Sequence, residues 1–324
     1  MIRALLGDTR RYLLNLLESP AVILLYHRVT RLESDPQLLA VSPDNFHDQV
    51  SILKKKYALL EIAEFGELIR KRKKMPRKAA IISFDDGYAD NCLEALPILE
   101  SLGGQALFYV TTSNLDTPFE LWWDALERIF LQDAALPPVV ELRNPGSQLQ
   151  LPTGSEKERR DSYARCHWFL KYTPPAARNE IIDNLLSMAG LPKEGRATHR
   201  LMTTPELVRM GRSPSAVIGA HTVNHPVLAL LAYQEQGEEI TGSKRILETK
   251  LNREVVHFSY PYGMKRDVNG DSVRVCRESG FEFVCSNHYG QVHSWSDPMR
   301  LPRVLVRDWD SRQFEQELVK FFSY

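Results

Sequence analysis

Ile81-Ile-Ser-Phe-Asp-Asp-Gly-Tyr88 is an apolar run that stops at two adjacent carboxylates and a glycine. Polar and apolar residues do not alternate in it, so it reads as the end of a strand buried on both faces, as in parallel sheets. That strand, Ala79–Phe84, has six counterparts: Ala21–Tyr26, Ala106–Thr111, Val217–Ala220, Val255–Ser259, Phe281–Cys285 and Val304–Val306. Helical patterns lie between several of them, at Pro43–Lys56 behind a Ser42 cap, Asn91–Leu102 before Gly103-Gly104, Tyr233–Leu251, and Asp271–Ser279 before Gly280. Strand alternating with helix predicts an α/β fold built as a (β/α) barrel or a related parallel architecture.

The alternation breaks between Asn114 and Arg200, where Leu136-Pro-Pro138 and Asn144-Pro-Gly146 separate helical stretches at Asp161–Tyr172 and Ala177–Ala189. Residues 114–200 are therefore expected to be a mainly helical insertion in a catalytic domain spanning 20–324. Residues 1–19 read as an amphipathic helix with Ile2, Leu5, Leu6, Leu13, Leu16 and Leu17 on one face. Such a stripe packs against the protein itself, with a membrane surface as the second reading. The basic run Arg70-Lys-Arg-Lys-Lys-Met-Pro-Arg-Lys78 is expected to be a solvated helix end and turn.

Composition narrows the function. Of the 324 residues 43% are hydrophobic and 25% charged, with 41 Lys+Arg against 41 Asp+Glu, so no global field draws the chain to nucleic acid. Cys92, Cys166, Cys276 and Cys285 form no C-x-x-C pair and are expected to be buried, reduced thiols. Gly7 to Arg11 interrupt the apolar residues near the N-terminus before a signal-peptide core can form. The expected location is cytoplasmic, at most peripheral to the membrane.

Chemistry gathers where the strands end. At Asp85-Asp86 consecutive side chains diverge, so one carboxylate can bind a metal while its neighbour faces an attacking water. Val217-Ile-Gly-Ala-His-Thr-Val-Asn-His225 runs from another strand into two histidines, whose spacing lets both imidazoles meet one ion from a helical turn or a curled loop. Two histidines and a carboxylate with open positions are the ligands of hydrolytic zinc sites and of some Fe(II) centres. Val255-Val-His-Phe-Ser-Tyr-Pro-Tyr-Gly263 and Ile23-Leu-Leu-Tyr-His27 end two more strands, and in a parallel barrel all such ends open on one face.

Ser83-Phe-Asp-Asp-Gly87, His221-Thr-Val-Asn-His225 and Phe258-Ser-Tyr-Pro-Tyr-Gly263 resemble, in order and spacing, the motifs of the polysaccharide deacetylases of carbohydrate esterase family 4. The similarity spans residues 20 to 310 apart from the insertion. It implies a distorted (β/α) barrel and one divalent metal, usually zinc, held by Asp86, His221 and His225, with Asp85 as general base. It also implies that the Tyr262 backbone N–H stabilises the oxyanion. Two departures are visible. Ser259 stands where many members carry an arginine, and the Leu-x-His motif that supplies the general acid late in the chain is missing. Leu24-Leu-Tyr-His27 instead resembles the biofilm-exopolysaccharide deacetylases, in which circular permutation moves that motif to the front. His27 is accordingly the expected acid. Arg303, in Leu301-Pro-Arg303, is the candidate to replace the missing arginine and orient Asp85, with a surface cation as the alternative.

The expected activity is removal of an N-acetyl group from a sugar in a bacterial-type polysaccharide or glycolipid precursor, releasing acetate. The substrate would be an N-acetylated saccharide, polymeric or linked to lipid or nucleotide. Trp122, Trp123, Phe119, Trp309, Tyr88 and Tyr260 are candidates to touch the sugar, with core packing as the competing reading. The insertion is placed to cap the site. Two other functions fit the residues: a metal-dependent hydrolase of a non-sugar amide or O-acetyl ester, and a noncatalytic saccharide-binding member of a polymer-synthesis assembly.

Overall fold

The computed structural model describes residues 18–132, 134–144 and 147–323, so the apolar face expected within residues 1–17 lies outside it. Seven strands form a parallel row in the order Phe283–Cys285, His257–Ser259, Ala216–Ala220, Ala106–Val110, Ala79–Phe84, Ala21–Tyr26 and Val304–Leu305. An eighth, Ala58–Leu59, pairs with the start of Ala79–Phe84 off this path. All seven apolar runs are strands, with ends shifted by at most two residues. The row curves until its ends meet through a single parallel bridge, Cys285 to Leu301. There the Leu301 N–H donates to the Val284 carbonyl at 2.9 Å, and the Ser286 N–H to the Leu301 carbonyl at 2.8 Å. The result is a distorted barrel whose ladder narrows to one pair at two places, Cys285–Leu301 and Phe258–Ala220.

Apolar residues run continuously along these strands because each face has its own core. Val22, Leu24 and Tyr26 join the large cluster under the helices, while Ala21 and Ile23 point into the barrel with Ile81, Leu107, Tyr109 and Phe283. Helix Ile62–Arg70, which the sequence pattern did not reveal, adds Ile62, Phe65 and Ile69 to the inner cluster beside the strand starts Ala21 and Ala79. It plugs the end opposite the motifs. The basic run after it is a helix end and turn, as expected, with Arg70 and Lys71 paired to Glu67.

Pro43–Lys56 and Tyr233–Leu251 are helices with the expected bounds. Ser42 sits at the N-cap position but makes no capping bond; its hydroxyl donates to Asp308 Oδ1 at 2.8 Å instead. The expected helix at 91–102 starts as a wide π turn, Asn91–Ala95, and ends at Gly103 with φ of 59°. Its Asn91 amide donates to the His27 carbonyl at 2.9 Å, which ties the wide turn to a strand end. The insertion contains helices Trp122–Leu131, Glu156–Lys171 and Pro175–Met188, but also an antiparallel hairpin of Val139–Asn144 with Ser147–Pro152. The prolines there suggest breaks, while the alternation in Ser147-Gln-Leu-Gln-Leu-Pro152 is the strand signal. All four cysteines are buried and unpaired. Among the described residues no helix is long and apolar enough to cross a membrane.

Candidate active site

After Phe84 the chain makes one more ladder bond, Asp85 N–H to the Tyr26 carbonyl at 3.1 Å, and then turns. Asp86 and Gly87 both adopt positive φ, 76° and 86°. A Cβ on Gly87 would lie 2.8 Å from Val110 Cγ1, so the residue after the acid pair must be glycine. Thr222, His225 and Tyr262 also have positive φ, at 65°, 52° and 58°. Each such conformation costs a non-glycine residue roughly 1–3 kcal/mol and persists where surrounding contacts impose it.

The contacts are identifiable. His221–His225 is a curled loop, not a helical turn. The Glu239 carboxylate accepts from the N–H groups of Val223 and Asn224 at 2.9 and 2.8 Å, and from the Asn224 amide at 2.7 Å. Thr222 Oγ1 accepts from the His225 N–H at 3.0 Å. Arg178, reaching in from the insertion, donates to the carbonyls of Asn224 at 2.6 Å and His225 at 3.1 Å. Neither Glu239 nor Arg178 is distinguishable in the sequence, because each sits in a polar helical stretch among similar residues.

This frame brings together the acid pair and both histidines. Asp86 Oδ1 lies 3.6 Å from His221 Nε2 and 3.4 Å from His225 Nε2. One donor atom from each residue fits within 4.8 Å of the others, and all three residues are buried. Bonds of about 2.0–2.1 Å to a tetrahedral zinc put neighbouring donors about 3.3 Å apart, so the triangle has the right size. His221 Nδ1 is 2.7 Å from the Ser259 carbonyl, which fixes the N–H on that nitrogen and leaves the Nε2 lone pair facing Asp86. Burial lowers the pKa of His221 to about 4; burial, with Arg178 nearby, lowers that of His225 to about 3. Burial raises that of Asp86. Neutral imidazoles around a carboxylate paired to no arginine or lysine are a donor set that suits a divalent cation.

Asp85 lives in a different field. The Arg303 guanidinium spans it, Nη1 to Oδ1 at 2.7 Å and Nη2 to Oδ2 at 2.6 Å. Burial would raise the Asp85 pKa, but Arg303 and His221 outweigh it and hold the carboxyl at about 2. Arg303 also donates to the Ser286 carbonyl at 2.9 Å and to Ser259 Oγ at 2.7 Å, and it is 1% exposed, so it is no surface cation. The small Ser259 leaves room for a guanidinium arriving from the neighbouring segment.

His27 follows Tyr26, which pairs in register with Phe84, so His27 and Asp85 stand at the ends of adjacent strands. Burial lowers its pKa against the opposing pull of Asp86 and Asp85, and among the described residues Nδ1 has no hydrogen-bond partner. The Tyr262 ring stands 4.6 Å from that of His225, with Lys171 Nζ of the insertion 4.4 Å from its centroid. Among the described residues no backbone carbonyl accepts the Tyr262 N–H.

The aromatic candidates divide. Trp122 and Phe119 line a cleft of ≈ 250 Å³ that reaches His225 between the barrel and helix Pro175–Met188. Trp123 packs its ring 4.8 Å from His225, and its indole N–H donates to the Tyr88 hydroxyl at 2.8 Å, so it supports the histidine. Tyr88 does not reach the cleft. It is fully buried, donates to Asp124 at 2.7 Å and lies under the Arg28 guanidinium. Tyr260 is likewise buried, its hydroxyl donating to the Met299 carbonyl at 3.1 Å. Trp309 packs against Phe321 of helix Ser311–Ser323, 6.2 Å between rings, and not at the site. A strand-end position could not separate these cases, since alternate residues there face opposite cores.

The polysaccharide deacetylase family model matches residues 72–136 and 186–284. The chain belongs to the polysaccharide deacetylase family. The poly-β-1,6-N-acetyl-D-glucosamine N-deacetylase of Escherichia coli (strain K12) is 30% identical to this polysaccharide deacetylase over 302 residues, 92% of this chain but 38% of the relative. The chain thus spans well under half of that protein. Among solved structures, IcaB from Ammonifex degensii superposes with a TM-score of 0.61 at 17% identity, covering 94% of this chain and 97% of that one. The Streptococcus pyogenes deacetylase PplD gives 0.60 at 17% identity, covering 93% and 99%. These two share the fold. Residues 137–185, with the hairpin and most of the two helices that carry Lys171 and Arg178, fall between the matched stretches.

Proposed function

We propose that this polysaccharide deacetylase hydrolyses the N-acetyl group of an amino sugar within a polysaccharide, releasing acetate and leaving a free amine. The observation that carries the reading is the buried Asp86–His221–His225 triangle beside an Asp85 held by Arg303. Asp86, His221 and His225 would hold the ion, for which zinc is the first choice by ligand type and triangle size. Bound there, a divalent ion would supply Lewis acidity toward an acetyl carbonyl and toward a water near neutral pH.

The chain's own groups supply the rest. Asp85, ionised at any working pH, orients the attacking water and takes its proton. Arg303 fixes the direction of that carboxylate. The Tyr262 N–H, with no backbone acceptor and set by a left-handed turn after Pro261, faces the oxygen that gains charge. His27, across the acid pair, delivers a proton to the departing nitrogen.

The test is metal analysis of the purified protein combined with acetate release from β-1,6-linked N-acetylglucosamine oligomers, an O-acetylated sugar and a non-sugar acetamide. Retained divalent metal with acetate released from the oligomers alone supports the reading. Release only from the ester or the non-sugar amide, or a protein that neither retains metal nor releases acetate, sinks it.

A further inference from the structure

Tyr262 sits in a turn that needs outside support. The Gly263 N–H closes a three-residue turn onto the Pro261 carbonyl at 2.5 Å, with the left-handed Tyr262 at its centre. Such a conformation persists where neighbours impose it. The bond bears on catalysis because the Pro261 carbonyl and the Tyr262 N–H are opposite edges of one planar trans peptide, so fixing the first aims the second. The peptide after Gly263 is held at both edges. Asn287 donates its N–H to the Gly263 carbonyl at 2.9 Å, and Asp267 Oδ2 accepts from the Met264 N–H at 3.3 Å.

Asp267 is where the insertion reaches this turn. It is fully buried, and consecutive residues at the end of helix Glu156–Lys171 engage both its oxygens: Lys171 Nζ donates to Oδ2 at 3.0 Å and the Tyr172 hydroxyl to Oδ1 at 3.3 Å. Lys171 is itself 8% exposed, and its ammonium also stands over the Tyr262 ring, 4.4 Å from the centroid. One cation thus touches the side chain of Tyr262 and the carboxylate that holds the backbone two residues beyond it. A buried ion pair adds little net stability, because desolvation offsets the attraction, whereas it can hold one arrangement against others. Lys171 and Tyr172 lie in the stretch that the family model passes over, and Asp267 lies inside a matched one.

We propose that Lys171 and Asp267 are positioning residues for the oxyanion turn: through this pair the insertion sets the direction of the Tyr262 N–H, and turnover depends on a contact that the barrel alone does not make. The proposal rests on the deacetylase reading above. Lys171 acts through Tyr262 and Asp267, not by touching the sugar. Its loss frees the turn while Glu239 and Arg178 still hold the histidine loop, so the defect falls on the tetrahedral state and not on substrate or zinc binding.

The experiment follows acetate release from β-1,6-linked N-acetylglucosamine oligomers by zinc-loaded protein, unsubstituted and as Lys171→Met, Lys171→Arg and the double variant Lys171→Met, Asp267→Asn. Lys171→Met should lower kcat about 10–100-fold, the effect of a displaced donor, with KM and bound zinc unchanged. Lys171→Arg keeps the cation and should retain most of the rate. The double variant strands no buried charge and keeps an acceptor for Met264, so it should regain thermal stability but not kcat. A methylphosphonamidate analogue of the oligomer, a tetrahedral mimic, should lose affinity for both Met variants in step with kcat/KM. Recovery of kcat together with stability, a raised KM at unchanged kcat, or undiminished affinity for the analogue overturns the positioning role alone. If Lys171→Met does not fold, the double variant decides by itself, and an unsubstituted rate in it overturns the proposal. Absence of acetate release by the unsubstituted protein overturns the deacetylase reading and the positioning role with it.

Discussion

Arg303 clasps Asp85 from 218 residues along the chain, its two Nη atoms meeting the two carboxylate oxygens at 2.7 and 2.6 Å. Neither residue is exposed by more than 4%, so the pair is a buried one. Removing one partner of such a pair strands the other charge and costs about 3–5 kcal/mol. Arg303→Met should therefore lower thermal stability by a matching amount. It should also shift the acid limb of the kcat/KM profile: with the guanidinium gone, burial raises the Asp85 pKa, so activity falls as the pH drops through mildly acid values. A pH–rate profile with an unmoved acid limb would show that Arg303 does not set the charge of Asp85.

Asp85→Asn should keep its metal and lose about 10²–10⁴-fold in kcat, the range for a positioned general base. His221→Ala should lose metal and activity together. Elemental analysis beside single-substrate kinetics separates the two, and a fully active Asp85→Asn protein would remove the proposed base.

His27→Ala should retain metal and slow cleavage of an acetamide far more than cleavage of an activated acetate ester, whose leaving group departs without a proton. The ratio of the two rate constants is the readout. Equal slowing would leave His27 without its proposed role as proton donor.

Arg178 holds the carbonyls on which the left-handed His225 turns, yet it touches none of the three proposed ligand atoms. Arg178→Ala should weaken zinc affinity by about 10–100-fold, the usual effect of losing an outer support. Chelator competition measures this directly. Arg178→Lys, with one cation but no fork, should recover part of the loss.

Metal-free protein should lose stability as the pH falls from 6.5 toward about 4. In the unfolded chain His221 and His225 take up protons near 6.5, whereas in the fold burial holds them to about 4 and about 3, so the unfolded state binds more protons across that interval. Other buried histidines, His199 and His257 among them, act in the same sense, while Asp86 and Asp124, raised by burial, act in the opposite one. The share of the two rings is therefore read as the difference in slope between the protein and its His221→Asn, His225→Asn form, from urea unfolding at several pH values in chelator. An identical slope for the two proteins would mean that the two rings are solvated in the metal-free state.

The barrel was legible because buried parallel strands are short unbroken apolar runs, and Ala21–Tyr26 and Ala79–Phe84 have the expected bounds. The site was legible in part. Asp85, Asp86, His221 and His225 stand directly at strand ends, where topology alone brings them together. Arg303 needed a resemblance, and only the structure shows it paired. Arg178, Lys171 and Glu239 left no trace, since a helix offers many polar positions and nothing local marks the one that reaches a distant loop. Tyr88 and Tyr260 misled for a related reason: beside a motif, a tyrosine facing a core looks the same in sequence as one facing a substrate.

The row of strands closes where Cys285 bridges to Leu301, just ahead of strand Val304–Leu305, and Arg303 follows Leu301 by two residues. The counter-ion of the proposed base is thus carried by the very segment that closes the barrel, and its Nε donates to the Ser286 carbonyl across that closure. Closing the barrel and setting the charge of Asp85 are therefore one structural act, performed by a segment that contributes none of the three proposed metal ligands.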